Sequence, residues 1–137
     1  MDSQEGRSVD YSLSRTLDIA YQEAVPKVRE AFQERGFGTL TEIDVQATLQ
    51  SKLDHDIEPY VILGTCNPEL AQRALDAERA IGLLLPCNVV VRAVGDGRTL
   101  VQALDPRVMV AVPERDELGP VAEEAGRRIR EALDDLT

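Results

Sequence analysis

The chain has 137 residues, of which 43% are hydrophobic and 29% are charged. This length suits one domain, because a single hydrophobic core commonly occupies about 100 to 150 residues, and the composition excludes a disordered or fibrous protein. The net charge of −10, with three tyrosines, two phenylalanines and no tryptophan, disfavours nucleic-acid binding. Such a chain repels phosphates and offers few rings for stacking on bases.

The ends of the chain and its cysteines indicate a cellular location. Residues 1 to 8 are polar and predict a flexible N-terminus without the apolar core of a secretory signal. No segment approaches the ~20 apolar residues of a membrane span. We therefore expect a cytoplasmic protein that does not bind membranes, in which the two cysteines, Cys66 and Cys87, are free thiols.

The first elements are a strand and a helix. Apolar and polar residues alternate from Tyr11 to Arg15, which predicts a half-buried strand. A helix is predicted over residues 21 to 35, with Pro26 in its first turn, where a missing N–H does no harm. Gly36 can end this helix in a left-handed conformation.

A second strand leads directly into a second helix. Residues 37 to 43 alternate as a strand, and Asp44 can cap a short helix that ends at Leu53. One face of this helix would be apolar, formed by Val45, Leu49 and Leu53. The apolar run within residues 59 to 65 is too short for a buried helix and predicts a strand in mid-sheet.

The next elements are a helix and a hairpin. Asn67 followed by Pro68 signals a helix start, because Asn caps free N–H groups and Pro has no N–H to satisfy. The chain is then predicted to be extended from Leu83 to Val94, to turn at residues 95 to 97 and to return as a strand over residues 99 to 104. The turn is too short to cradle a phosphate and opens no helix.

The C-terminal segment, about residues 118 to 136, has helical spacing and predicts an amphipathic helix that covers a sheet face or a partner subunit. Strands occur singly between helices and also as a hairpin. This order favours an α+β domain with one sheet and helices on one side. We assign residues 9 to 137 to this single domain.

The two cysteines are the main chemical candidates. Cys66 precedes a predicted helix start, where the helix dipole and free N–H groups favour a thiolate. Cys87 lies in an apolar strand, and both residues also have a plain reading as small buried apolar side chains. Together they offer a two-thiolate site or a redox pair if their Cα atoms lie within about 7 Å.

Other candidate residues are less specific. A structural zinc site normally has four Cys or His ligands, so this chain would need Cys66, Cys87 and its one histidine, His55, completed by Asp or Glu. His55 lies in a polar connection where an exposed histidine needs no function. Glu42 and Asp44 could act as acid and base only in a cleft that excludes water; the plainer reading makes Asp44 a helix cap.

Six short motifs carry a resemblance to a known family. They are Gly36-Phe37, Glu42-Ile43-Asp44-Val45, Lys52-Leu53, Gly64-Thr65-Cys66-Asn67-Pro68, Leu83-Leu84-Leu85-Pro86-Cys87 and Leu104-Asp105-Pro106. In order and spacing, the chain resembles the family catalogued as domain of unknown function 302 over about residues 9 to 112. The resemblance implies a curved, mainly antiparallel sheet with helices packed on it, similar to the fold of the TATA-binding protein. It implies no established activity, and likeness of fold does not confer DNA binding.

Two functions follow from these observations. The sequence has no hydrolase, zinc-protease, nucleotide or dinucleotide motif and indicates no particular cofactor. The first function is a non-enzymatic module that binds a small ligand, a metal ion or a partner subunit, with Cys66, Asn67 and Cys87 at its site. The second is a thiol-dependent redox or sulfur-transfer protein, in which Cys66 reacts and Cys87 resolves the product. A homodimer is a further expectation, from the apolar faces of the C-terminal helix and hairpin.

Overall fold

The structure is a computed structural model, and it describes residues 11 to 136. Its strands are β1 (Ser12–Leu17), β2 (Gly38–Asp44), β3 (Tyr60–Cys66), β4 (Cys87–Ala93) and β5 (Thr99–Leu104). Its helices are α1 (Tyr21–Glu34), α2 (Val45–Leu53), α3 (Pro68–Ala77), α4 (Val108–Ala111) and α5 (Gly119–Asp134), with 3-10 turns at Arg79–Leu84 and Asp116–Leu118. The predicted flexible segment, residues 1 to 8, lies outside the described range.

The strands form one antiparallel sheet in the order β1-β5-β4-β3-β2. The sheet is open, since β1 and β2 are its two edges. The predicted α+β class is confirmed. β3 is an internal strand, as its continuous apolar run predicts, although β4 occupies the centre.

The hydrophobic core lies between one face of the sheet and three helices. Neighbouring strands contribute two rows of side chains to this face, Val61-Val91-Val101 and Leu63-Val89-Ala103. All six are at most 2% exposed. Helices α1, α3 and α5 pack on these rows through residues that include Val28, Leu70 and Ile129. Because alternate residues of a strand point to opposite faces, the residues between these rows lie on the other face of the sheet.

The helix caps follow the sequence signals, and β4 and β5 pair as the predicted hairpin. Asn67 Oδ1 accepts a hydrogen bond of 3.0 Å from the backbone N of Leu70, at the start of α3. Asp44 Oδ1 accepts one of 2.9 Å from the backbone N of Ala47, at the start of α2. Local side-chain chemistry therefore places the start of both helices.

The position of Pro26 differs from the prediction. α1 begins at Tyr21, so Pro26 lies inside the helix and beyond its first turn. A proline there removes the hydrogen bond to the carbonyl of Gln22. Both residues are exposed, so water can reach that carbonyl. The predicted start at residue 21 agrees with the structure, but the placing of Pro26 in the first turn was wrong, because Pro26 is the sixth residue of α1.

The strand predicted from Leu83 also needs correction. Residues Arg79–Leu84 form a 3-10 turn, and β4 begins only at Cys87. Pro86 has no N–H to donate to a sheet ladder, so the paired strand starts immediately after it.

The amphipathic C-terminal helix packs within the chain. α5 contacts α1, α3 and β1, and its buried residues include Val121, Ala125 and Ile129. The sequence predicted that this helix covers either a sheet face or a partner subunit, and in the structure it packs on the sheet and helices of its own chain. None of the helices between residues 11 and 136 is both long and apolar enough to cross a membrane.

Gly64 lies close to side chains on both sides of β3. A substitution at Gly64 therefore tests the packing of β2, β3 and β4. A Cβ at this position would meet Oγ1 of Thr41 and would lie 2.9 Å from Cγ of Pro86. We expect Gly64→Ala to lower the free energy of unfolding by about 1–3 kcal/mol, the usual cost of overpacking. Denaturant unfolding measures this loss.

Gly82→Ala is the matched control, because a Cβ at Gly82 would meet nothing within 4 Å. Its unfolding free energy should change by less than about 1 kcal/mol. Thr41→Ala should recover part of the stability in the Gly64→Ala background. Equal effects of the two glycine substitutions would contradict the close packing at Gly64.

Candidate functional site

A small cavity lies where β3 ends and β4 begins, beneath α3 and α5. Its volume is about 20 Å³, on the scale of a single water molecule. The strand ends contribute Thr65, Cys66, Asn67 and Cys87 to its wall, and the helices and connections contribute apolar side chains that include Leu70, Met109 and Val121. The cavity therefore collects all three residues that the sequence marks as ligand-binding candidates.

Sheet register brings the two cysteines close together. Cys87 is paired with Thr65, so Cys66 lies one residue beyond that pair. The hydroxyl of Thr65 donates a hydrogen bond of 2.9 Å to the carbonyl oxygen of Cys87. Both cysteines are half-buried free thiols. Both side chains contribute to the wall of the cavity.

The thiol of Cys87 is strongly affected by its surroundings. Burial and, to a lesser extent, repulsion from Cys66 together raise its pKa from 9.0 to about 11. Cys87 also packs against the hydrophobic core. Because the thiolate is the reactive form and the usual metal-binding form, a neutral Cys87 is a weak nucleophile at pH 7.

Asn67 joins the cavity to the end of α1. Its side chain is 7% exposed and caps α3. Gly36 lies beside it with a φ of +91°, and a Cβ there would lie 2.7 Å from Asn67 Nδ2. The chain can therefore turn closely around Asn67 and place Phe37 in the cavity wall. Motifs that are distant in the sequence meet at this point.

The Leu104-Asp105-Pro106 motif precedes α4, which forms another part of the cavity wall. The side chain of Asp105 is 3% exposed and accepts hydrogen bonds from the backbone N and the guanidinium of Arg107. These bonds lower the pKa of Asp105. The turn leads into α4, which carries Met109 to the cavity. Sequence reasoning missed Met109, because a helix of four residues leaves no periodic pattern.

The remaining candidates lie away from the cavity. His55 is exposed. Glu42 is exposed and forms an ion pair of 3.4 Å with Arg29, and Asp44 caps α2. Both carboxylates are exposed to water, so their positions fit a helix cap and a surface ion pair better than an acid and a base in a cleft. Within residues 11 to 136, no three His, Cys, Asp or Glu residues come together as potential metal ligands.

The fold and the sequence both match known proteins. The crystal structure of an uncharacterized conserved protein DUF302 from Bacillus stearothermophilus is similar, with a TM-score of 0.85 and 28% sequence identity over 94% of this chain and 100% of that chain. No curated protein matches the sequence. The family model described as domain of unknown function DUF302 matches residues 13–136, so the likeness runs through α5, beyond residue 112. The chain therefore belongs to the DUF302 family.

Proposed function

We propose that this protein is a non-enzymatic binding module that holds a metal ion or a small ligand in the cavity at the ends of β3 and β4. One observation carries the proposal: Phe37, Asn67, Leu85 and Cys87 come from three separate motifs and line the same cavity. The cavity surface is mostly apolar with a few polar groups. That combination is typical of binding sites for small molecules and ions.

The size of the cavity limits its occupant. Pockets for drug-sized ligands measure about 300–1,000 Å³, whereas this cavity measures about 20 Å³. It has room for an ion or for a group of a few atoms. A larger ligand would have to move α3 or α5 away from the strand ends.

Three sulfur-containing residues line the cavity, and they favour a soft metal ion over other small occupants. Cys66, Cys87 and Met109 contribute to its wall. Thiolate and thioether sulfurs select soft ions such as Cu(I). The raised pKa of Cys87 means that the ion must displace a proton, so affinity should increase with pH.

A thiol-dependent reaction is the second candidate. Cys66 directly precedes Asn67 and Pro68 at the start of α3 and is a half-buried free thiol, so it is the candidate nucleophile. The neutral state of Cys87 weighs against it as the resolving thiol, because disulfide exchange requires attack by a thiolate.

Alkylation rates against pH separate these two functions. In the Cys66→Ser variant, we expect Cys87 to react slowly at pH 7 and faster as the pH approaches its pKa of about 11. In the Cys87→Ser variant, fast alkylation of Cys66 below pH 7 would favour the thiol-dependent reaction, and slow alkylation would favour the binding module. The unfolded protein gives the reference rate. Equal rates for Cys87 in the folded and unfolded protein at pH 7 would contradict its raised pKa.

The same pKa predicts a loss of stability in alkali. The folded state keeps the proton on Cys87 up to about pH 11, whereas the unfolded state releases it from about pH 9. The stabilising contribution is therefore complete below pH 9 and is lost as the pH rises to 11. Relative to Cys87→Ala, the wild-type protein should lose on the order of 2 kcal/mol of unfolding free energy over this range. Denaturant unfolding at several pH values measures the difference; parallel curves for both proteins would contradict it.

Silver(I), a soft ion with one stable oxidation state, tests the binding function directly. We expect metal-free protein to bind one ion per chain in native mass spectrometry, with a higher Tm and with affinity that increases with pH. Cys87→Ser should weaken binding. Met109→Leu should also weaken it, because leucine has a similar volume and no sulfur.

Silver also binds isolated thiols, so Met109→Leu is the decisive control. If this variant binds silver as well as the wild-type protein does, the cavity does not hold the ion. Ala71→Leu tests the cavity independently, because Ala71 lines it and a larger side chain would fill it. Unchanged silver binding by either variant would contradict the proposed module for soft ions.

A further inference from the structure

Strand β2 and helix α2 form a continuous unit, residues 38 to 53, which we call the β2–α2 unit. It contains seven residues in the strand and nine in the helix, and none of them is buried. Every other strand and helix within residues 11 to 136 buries at least one residue. The unit is therefore regular in structure but contributes nothing to the hydrophobic core of its own chain.

The unit exposes apolar side chains. Of the six large hydrophobic residues that are exposed in the described part of the chain, three belong to it: Leu40 at 68%, Ile43 at 50% and Leu53 at 70%. Ile43 lies on the sheet face that lacks the core helices. On this face it pairs with Ile62, which pairs with Val90, and both of these neighbours are half-buried. Half of these exposed residues therefore belong to one continuous segment, and exposed apolar surface of this kind is typical of interaction sites.

Polar contacts hold α2 in place, although its apolar side chains remain outside the core. Asp44 caps its first turn, and Gln46 Nε2 donates a hydrogen bond of 3.1 Å to the carbonyl of Ile57. A helix of nine residues is marginal without packing, because most helical stability in proteins comes from a buried apolar face. On the predicted apolar face, Val45 and Leu49 are only half-buried and Leu53 is exposed, so α2 has no buried apolar face.

We infer that the β2–α2 unit packs against the same unit of a second copy of this chain. The charge distribution supports this partner. The whole chain carries a net charge of −10, but the unit contains only Glu42, Asp44 and Lys52 as charged residues. Glu42 is paired with Arg29, and Asp44 caps α2. Two copies therefore experience little repulsion between like charges where these units meet.

The geometry also suits a closed pair. β2 is an edge strand, and its register shifts between Thr39 and Thr41. Such an irregularity protects an edge against open-ended strand addition, whereas a two-fold axis brings identical side-chain surfaces together and closes the assembly. The sixteen residues of the unit, with Ile62 and Val90 beside them, approach the roughly 20–30 residues a side of a stable interface.

Sedimentation equilibrium of the full chain over a wide concentration range tests this inference. The wild-type protein should form a dimer, and Ile43→Lys and Leu53→Lys should each weaken the dimer about tenfold or more, because each places a charge at a buried apolar contact. Leu83→Lys is the matched control, since Leu83 is 88% exposed and lies outside the unit. It should leave the dimer unchanged.

Hydrogen exchange of the wild-type protein gives a second measurement that does not depend on variants. The amides of α2 should become better protected as the concentration rises through the dimerisation range, while those of α3 should not change. A monomer at every concentration would overturn the inference. A dimer that neither lysine variant weakens, or that Leu83→Lys weakens equally, would overturn it as well.

Discussion

The pairing of β3 with β4 determines how the rest of the molecule is arranged. Its register places Val61 beside Val91 and Leu63 beside Val89, which gives α1, α3 and α5 a continuous apolar face to cover. The same register places Cys87 beside Thr65 at the strand ends. A shift of one residue would turn both apolar rows to the other face of the sheet. Core and candidate site therefore depend on one alignment.

Much of the fold could be predicted because its signals are local. Asn67 and Asp44 mark helix starts through hydrogen bonds to residues three positions ahead. The errors arose where local signals conflict or are missing. Pro26 favours the first turn of a helix, but α1 begins at Tyr21 and includes Pro26 beyond its first turn. The leucines before Pro86 have strand composition, but the ladder begins only after the proline.

The candidate site was predictable only in part, because a cavity is a long-range property. The unusual contexts of Cys66, Asn67 and Cys87 identify them in the sequence. Met109 comes from a four-residue helix, and nothing in its neighbourhood indicates that it faces the strand ends. The depth at which Cys87 lies, and hence its high pKa, also depends on segments distant in the chain. The fold can be inferred residue by residue, whereas the chemistry of the cavity depends on the assembled walls.

Asp44 is both the last residue of β2 and the cap of α2, so strand and helix meet without a connecting loop. A loop would let the two elements turn independently, but here a rotation of the strand must be passed directly to the helix. The junction therefore fixes where α2 leaves the sheet, beside the Asp44–Val61 pair at the start of β3. The cavity lies at the other end of that strand, so the exposed face of α2 and the cavity are separated by the length of β3.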